Sequence, residues 1–259
     1  MKRLLGAKEL FLFDLDGVFY KGKESRVKIG GTKVVDALRA RGKKLFILTN
    51  NSTDAARTVH SRLLEFGIPV REEEVLTSGL LTAEYLREEF GTVSYFLVGE
   101  DGLDSEMKTH GHRRTEGEKA DFVVIGLDRA LTYDKLDQAA RVARNGARVV
   151  ATHVSALYMA KSGPAMATGP LVKAVEYASG KRATVIGKPA KLMFKIALRR
   201  AGCSSRDAVM VGDQVDTDIA GAARSGIDPI LVTSGVDKDA KGYKLVAKLR
   251  NVDEIVPLL

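Results

Sequence analysis

The sequence is poor in the features that would mark a secreted or membrane-spanning chain. It has one cysteine, Cys203, in 259 residues. A lone thiol cannot close an internal disulfide, and a reducing cytoplasm is the setting this predicts. Long apolar runs are also missing. The longest are strand-like pieces such as residues 10–13 and 122–125, far short of the ~20 residues a membrane helix needs, so no membrane partner is expected. Residues 1–10 carry basic charge but no sustained apolar stretch and no small-residue cleavage site, which argues against a signal peptide. There is no repeat of fixed period and no low-complexity linker.

Acidic charge is the scarcer sign. Lys and Arg number 41 against 33 Asp and Glu, a formal net charge of +8. Clustered basic residues would track nucleic-acid phosphates. Here they are scattered in ones and twos, with no basic stripe interleaved with aromatics. That pattern predicts a basic solvated surface that favours small anionic substrates, and no nucleic-acid partner. At 45% hydrophobic and 29% charged residues the composition is that of a soluble globular enzyme. The length allows one large domain or two modest ones.

What is present is an alternation of short apolar strands and helical periods almost from end to end, which predicts a parallel sheet covered by helices. Strands are read at 10–13, 44–48, 75–78, 208–211 and 229–232. Val34, Ala37, Leu38 and Arg41 fall at helical spacing ahead of Gly42, as do Val59, Leu63 and Phe66 ahead of Gly67. Between these blocks, residues 79–186 hold their own strands (95–98, 122–125, 148–151) and a clear helix through Leu136, Ala139, Ala140 and Ala143. The fold class expected is α/β. A Rossmann-like parallel-sheet core is read in two parts, 1–78 and 187–259, with an inserted α/β domain at 79–186. The nesting follows from where the chemical motifs fall rather than from periodicity.

Four clusters sit where a strand gives way to a loop, and in open parallel sheets those carboxyl ends are where ligands bind. The first is Phe13-Asp14-Leu15-Asp16-Gly17, two carboxylates with a glycine that lets the backbone turn sharply near a ligand. The second is Leu48-Thr49-Asn50-Asn51-Ser52. It serves equally as a helix cap and as a set of hydroxyl, amide and N–H donors suited to phosphate. The third, Gly187-Lys188-Pro189, contains a lysine that by itself is an ordinary solvated turn residue. The fourth runs from Gly212-Asp213 through Asp216, Thr217 and Asp218. Acids so close repel one another unless a cation or lysine offsets them, and magnesium commonly takes one or two carboxylates with phosphate and water. Part of this run also suits the start of the next helix.

Together, in this order, Asp-Leu-Asp-Gly-Val, Thr-Asn-Asn-Ser, Gly-Lys-Pro and Gly-Asp-x-x-x-Thr-Asp resemble the four motifs of phosphatases in the haloacid dehalogenase (HAD) superfamily. Val18, Tyr20 and the segment Gly126-Leu127-Asp128-Arg129 followed by Thr132-Tyr133 are similar to its NagD-like, p-nitrophenyl-phosphatase branch. The resemblance runs from about residue 10 to 232. It implies a cytoplasmic, magnesium-dependent phosphoric monoester hydrolase acting on a small phosphorylated metabolite through an aspartyl-phosphate. Asp14 would be the nucleophile, Asp16 the general acid and base, and Lys188 the charge balance beside Asp14. Magnesium would be held by Asp14, the main-chain carbonyl of Asp16, and Asp213, with Asp218 one layer out. Thr49, Asn50 and Asn51 would bind the phosphoryl group. The inserted domain would be a cap that excludes water and selects the substrate, and a homodimer through the cap is left open.

One departure stands out. Members of this branch usually read Ala-Thr-Asn-x-Asp after a cap strand, whereas this chain has Ala151-Thr152-His153-Val154-Ser155. His153 and Ser155 are therefore candidate substrate-facing residues, and exchanging them for the family's pair should reorder natural substrates. His110 and His112, in a glycine-containing polar loop, are read as solvated. A dehalogenase of the superfamily lacks the second carboxylate, so Asp16 and Asp213 argue against one. A phosphomutase, which returns the phosphoryl group to substrate, and a non-catalytic phosphate-binding module are the remaining alternatives.

Overall fold

A computed structural model describes residues 2–21, 27–160 and 162–259. Among them the first strands are β1 (Leu10–Phe13), β2 (Lys44–Thr49), β3 (Val75–Thr77), β4 (Ser94–Val98), β5 (Arg113–Arg114) and β6 (Phe122–Ile125). Then come β7 (Arg148–Ala151), β8 (Leu157–Ala160), β9 (Gly163–Met166), β10 (Ala183–Val185), β11 (Ala208–Gly212), β12 (Asp228–Val232) and β13 (Ala247–Leu249). Two compact units result. The first takes the described residues of Met1–Thr49, Val59–Leu76 and Lys188–Leu259, and the second takes Asn50–Thr58 and Thr77–Gly187.

The first unit is built on a sheet in the order β13-β12-β11-β1-β2-β3. β1 pairs in parallel with both β2 and β11, β11 with β12, and β12 with β13. The apolar run of β1 is buried at every position, as a strand covered on both faces requires. The helix Thr32–Ala40 buries Val34, Val35 and Leu38, and the helix Lys191–Ala201 buries Met193, Phe194, Ile196 and Ala197. The latter stops at Gly202, whose φ of 61° a side chain would strain. Winding proceeds from β1 through β2 to β3 on one side, and from β11 through β12 to β13 on the other. Connections leaving in opposite directions open a crevice at the carboxyl ends of the strands. Asp14 follows β1 there, and Asp213 follows β11.

The second unit has a five-stranded sheet, β10-β7-β6-β4-β5, parallel throughout. Val98, Val123, Ile125 and Val149 from its strands pack with Val142 of the helix Tyr133–Arg144 and Val172 of the helix Thr168–Ser179. β8 and β9 form an antiparallel ribbon whose alternation leaves Leu157, Met159 and Met166 exposed. Residues 50–58 follow β2 directly, yet their hydrogen bonds tie them to this unit. Ser78 Oγ donates to the carbonyls of Asn50 (2.9 Å) and Asn51 (3.1 Å). The Leu127 N–H donates to Ser52 Oγ at 3.3 Å, and the Ala56 N–H to Glu106 Oε1 at 2.7 Å. Among the described residues no helix is long and apolar enough to cross a membrane.

Candidate active site

Asp14 leaves β1 with its N–H still in the ladder, donating to Val211 O at 2.8 Å. The chain then turns tightly, the Gly17 N–H donating to Tyr20 O at 2.8 Å. Gly17 has a φ of 80°, and a Cβ there would overlap the Asp213 carboxylate. Glycine is required both for the turn and for the approach of that acid. Asp218 is delivered by a wide turn in which Gln214 O accepts from the N–H groups of Asp218 (2.9 Å) and Ile219 (3.3 Å). Such i→i+5 turns recur at functional sites. Asp218 Oδ2 accepts from the Gln214 N–H at 3.1 Å, and Gly212 supplies the space its carboxylate occupies. Oxygens of Asp14, Asp213 and Asp218 all lie within 4.8 Å of one another.

Lys188 is the cation of this cluster. Its buried Nζ donates to Asp14 Oδ1 at 2.5 Å and to Leu48 O at 2.7 Å, and lies 2.8 Å from Asp218 Oδ1. Burial alone would lower its pKa, but Asp14 and Asp218 overcome that and raise it, so it stays charged. Asp14 is pushed above the usual carboxylate range by burial, with Lys188 opposing and the nearby Asp16 adding to the rise. Burial, then repulsion from Asp14 and Asp218, drives Asp213 up to about 9. This rise is opposed less, by the Val236 N–H and then by the Lys188 charge. Asp218 is raised by burial to about 6, held down by Lys188. With all three carboxylates ionised, the one ammonium would leave a formal deficit that a single divalent cation would make good. Asp213 Oδ1 is buried without a hydrogen-bond partner among the described residues. An orphaned carboxylate oxygen beside two others, all hard donors, fits a divalent metal.

Other residues singled out by sequence fall in several places. Asp16 is half-buried and is not one of the three clustered carboxylates. Thr49 is buried at the end of β2, and Asn50 begins the second unit. The Asn51 side chain is engaged at both ends. Its Oδ1 accepts from the N–H groups of Thr53 (2.9 Å) and Asp54 (3.0 Å), while Nδ2 donates to Asp54 Oδ2 at 2.9 Å. His153 is buried. Its Nδ1 accepts from the Ser155 N–H at 3.3 Å, which assigns the proton to Nε2, 2.9 Å from Thr168 Oγ1. Ser155 is half-buried beside it.

The reading of the loop histidines needs correction. His112 is buried rather than solvated, its Nε2 on Ala83 O at 2.9 Å and its Nδ1 accepting from the Val93 N–H at 3.3 Å. His110 is half-buried, with Nδ1 2.8 Å from Glu106 O. A segment that sequence reasoning missed also reaches the cluster. After β12 the N–H of Val236 donates to Asp213 Oδ2 at 2.7 Å, and Ser234 Oγ donates to Gly17 O at 2.6 Å. Thr-Ser-Gly-Val-Asp after an apolar strand has the same strand-end grammar as the four motifs, and that signal was available.

Comparison with known proteins agrees with this geometry. A model of haloacid dehalogenase-like hydrolases matches residues 11–113, and a HAD-hydrolase-like model matches 185–257. The chain is 33% identical over 228 residues to the 5'-nucleotidase YutF of Bacillus subtilis, covering 88% of each. The chain belongs to the haloacid dehalogenase superfamily. Within it, an acid sugar phosphatase of Staphylococcus aureus is 35% identical over 227 residues, 87% of this chain and 86% of that one. A p-nitrophenyl phosphatase from Archaeoglobus fulgidus superimposes with a TM-score of 0.91 at 30% identity, covering 97% and 99% of the two chains. A 4-nitrophenylphosphatase from Thermotoga maritima gives 0.89 at 31%, covering 98% of each. The chain is thus a HAD phosphatase of the NagD-like branch, subfamily IIA, and such phosphatases use a divalent metal.

Proposed function

We propose that this HAD phosphatase is magnesium-dependent and hydrolyses small-molecule phosphate monoesters through an aspartyl-phosphate on Asp14. The observation that carries the reading is the buried Asp14 carboxylate fixed by Lys188 at 2.5 Å, with Asp213 and Asp218 beside it. Asp14 attacks phosphorus while the bond to the ester oxygen breaks, and Asp16 gives that oxygen its proton. Asp16 then takes a proton from the water that attacks the aspartyl-phosphate, releasing inorganic phosphate and restoring Asp14. Lys188 keeps Asp14 ionised and oriented. Thr49 and Asn50 donate to the phosphoryl oxygens. Magnesium, held by Asp14, Asp213 and the Asp16 carbonyl with Asp218 one layer out, would supply the positive charge on which phosphoryl transfer depends.

The part read from sequence as the cap, residues 79–186, is assigned to the leaving group. The core motifs contain nothing that could recognise one ester over another. Named relatives act on nucleotides and sugar phosphates, so those esters are the first to test. Purified protein should release inorganic phosphate from p-nitrophenyl phosphate, lose this on dialysis against a chelator, and regain it with magnesium. Full turnover in a verified metal-free sample overturns the metal assignment. Transfer to a second substrate molecule without accumulating phosphate overturns hydrolysis in favour of a mutase.

A further inference from the structure

The loop after β12 does more than connect two strands. It is anchored at its start by the Thr233 N–H on Leu249 O at 2.8 Å, and Lys238 Nζ closes it by donating to the carbonyls of Thr233 (2.6 Å) and Gly235 (2.7 Å). Between these points it crosses the ends of β1 and β11. Ser234 ties to the Gly17 carbonyl, and the Val236 N–H takes Asp213 Oδ2. Asp237 then grips both sides of the acid. Its N–H donates to Asp213 O at 3.0 Å, and its Oδ2 accepts from the Val215 N–H at 2.6 Å. Gly235 lies flat against the same carboxylate, where a Cβ would overlap Asp213 Oδ2. Three of these groups, the Val236 N–H, the Asp237 N–H and Gly235, bear directly on Asp213.

We infer that residues 233–238 are a positioning strap for the metal site, fixing Asp213 so that it meets the cation through one chosen oxygen. The strap rests on the metal reading above and extends it to residues outside the four motifs. With Oδ2 held by the strap, the oxygen left over is Oδ1, which is buried and unpartnered among the described residues. Asp237 also sets the Val215 end of the turn that delivers Asp218, so one carboxylate aligns two others. Groups that orient ligating carboxylates this way typically govern metal affinity by about 10- to 100-fold.

Calorimetric titration with magnesium alone tests the strap without any turnover. The φ of Gly235 lies outside the left-handed region, so Gly235→Ala introduces the collision with Asp213 and no backbone strain. That variant and Asp237→Ala should each weaken magnesium binding by about 10-fold or more, with chelated melting curves still cooperative. Asp237→Asn keeps an oxygen for the Val215 N–H and should bind close to the parent. Parent-like affinity in Gly235→Ala and Asp237→Ala overturns the strap while leaving the metal site standing. A parent protein that binds no magnesium overturns the metal site, and the strap with it. If Gly235→Ala fails to fold, the contrast between the two Asp237 variants decides.

Discussion

Burial pushes Asp14 upward while the Lys188 ammonium at 2.5 Å holds it down, and a nucleophile needs that balance to stay ionised yet poorly solvated. Asp16, two residues on, is half-buried and is not one of the three clustered carboxylates. The two acids should therefore fail differently. Asp14→Asn leaves an amide that cannot attack, so no phosphoenzyme forms. Asp16→Asn should lower turnover of natural esters by about 100-fold or more. It should still trap phosphoenzyme from p-nitrophenyl phosphate, whose leaving group needs little protonation. Hydroxylamine-sensitive covalent phosphate in Asp14→Asn would contradict the assignment. At this scale the positions of Asp14, Asp213 and Asp218 were legible because each follows an apolar strand. Lys188 was not legible by itself. A turn lysine carries no mark of burial, and only the family pattern singled it out. Asn51 and His112 show the converse: polar residues whose sequence setting suggests solvent or ligand, but whose side chains are consumed by local backbone groups.

Elements were read more completely than residues. The buried parallel strands announce themselves as continuous apolar runs, and β1, β6 and β7 sit where those runs predicted. The missed strands have two physical reasons. β5 has two residues, and β10 and β13 have three each, too few for any period to show. β8 (Leu-Tyr-Met-Ala) and β9 (Gly-Pro-Ala-Met) form a ribbon with no fully buried position, and Gly163 and Pro164 interrupt its apolar pattern. The loop after β7 illustrates how an element imposes a role. His153 bridges the Ser155 N–H and Thr168 at the start of the helix Thr168–Ser179, so its ring shapes the segment that the sequence marked as unusual. Removing it takes the partner from the half-buried Ser155 N–H and from the buried Thr168 hydroxyl. His153→Ala should cost about 1–3 kcal/mol in denaturant unfolding. p-Nitrophenyl phosphate turnover should change far less than the ranking of natural esters, since that leaving group asks little of the loop. Unchanged stability would show that the ring does not hold the loop, and a common loss on every substrate would show that the loop does not discriminate.

At the scale of the whole molecule, two electrostatic effects oppose each other, and their signs separate them. The chain carries a net charge of +8 that shrinks as pH rises toward an isoelectric point near 9.5. General repulsion should therefore relax and stability should rise with pH. The acid cluster predicts the reverse. Asp213 moves from 3.8 up to about 9, and Asp218 to about 6, so the folded protein keeps protons that the unfolded chain has already released. That contribution is intact below the unfolded value of 3.8 and is lost as pH climbs through the folded values. Carboxylates held low by partners, such as Asp104 and Asp121, complete their own change below this window and do not tilt it. In chelator, the melting temperature should fall between about pH 5 and pH 9, and Asp213→Asn should flatten the fall. Saturating magnesium should supply the missing positive charge, bind more tightly as pH rises, and raise stability by about 2.7 kcal/mol at a hundred times its dissociation constant. A chelated melting temperature that rises steadily across this range would mean that the three acids share their protons without strain. The cluster would then have no need of a cation to stay folded.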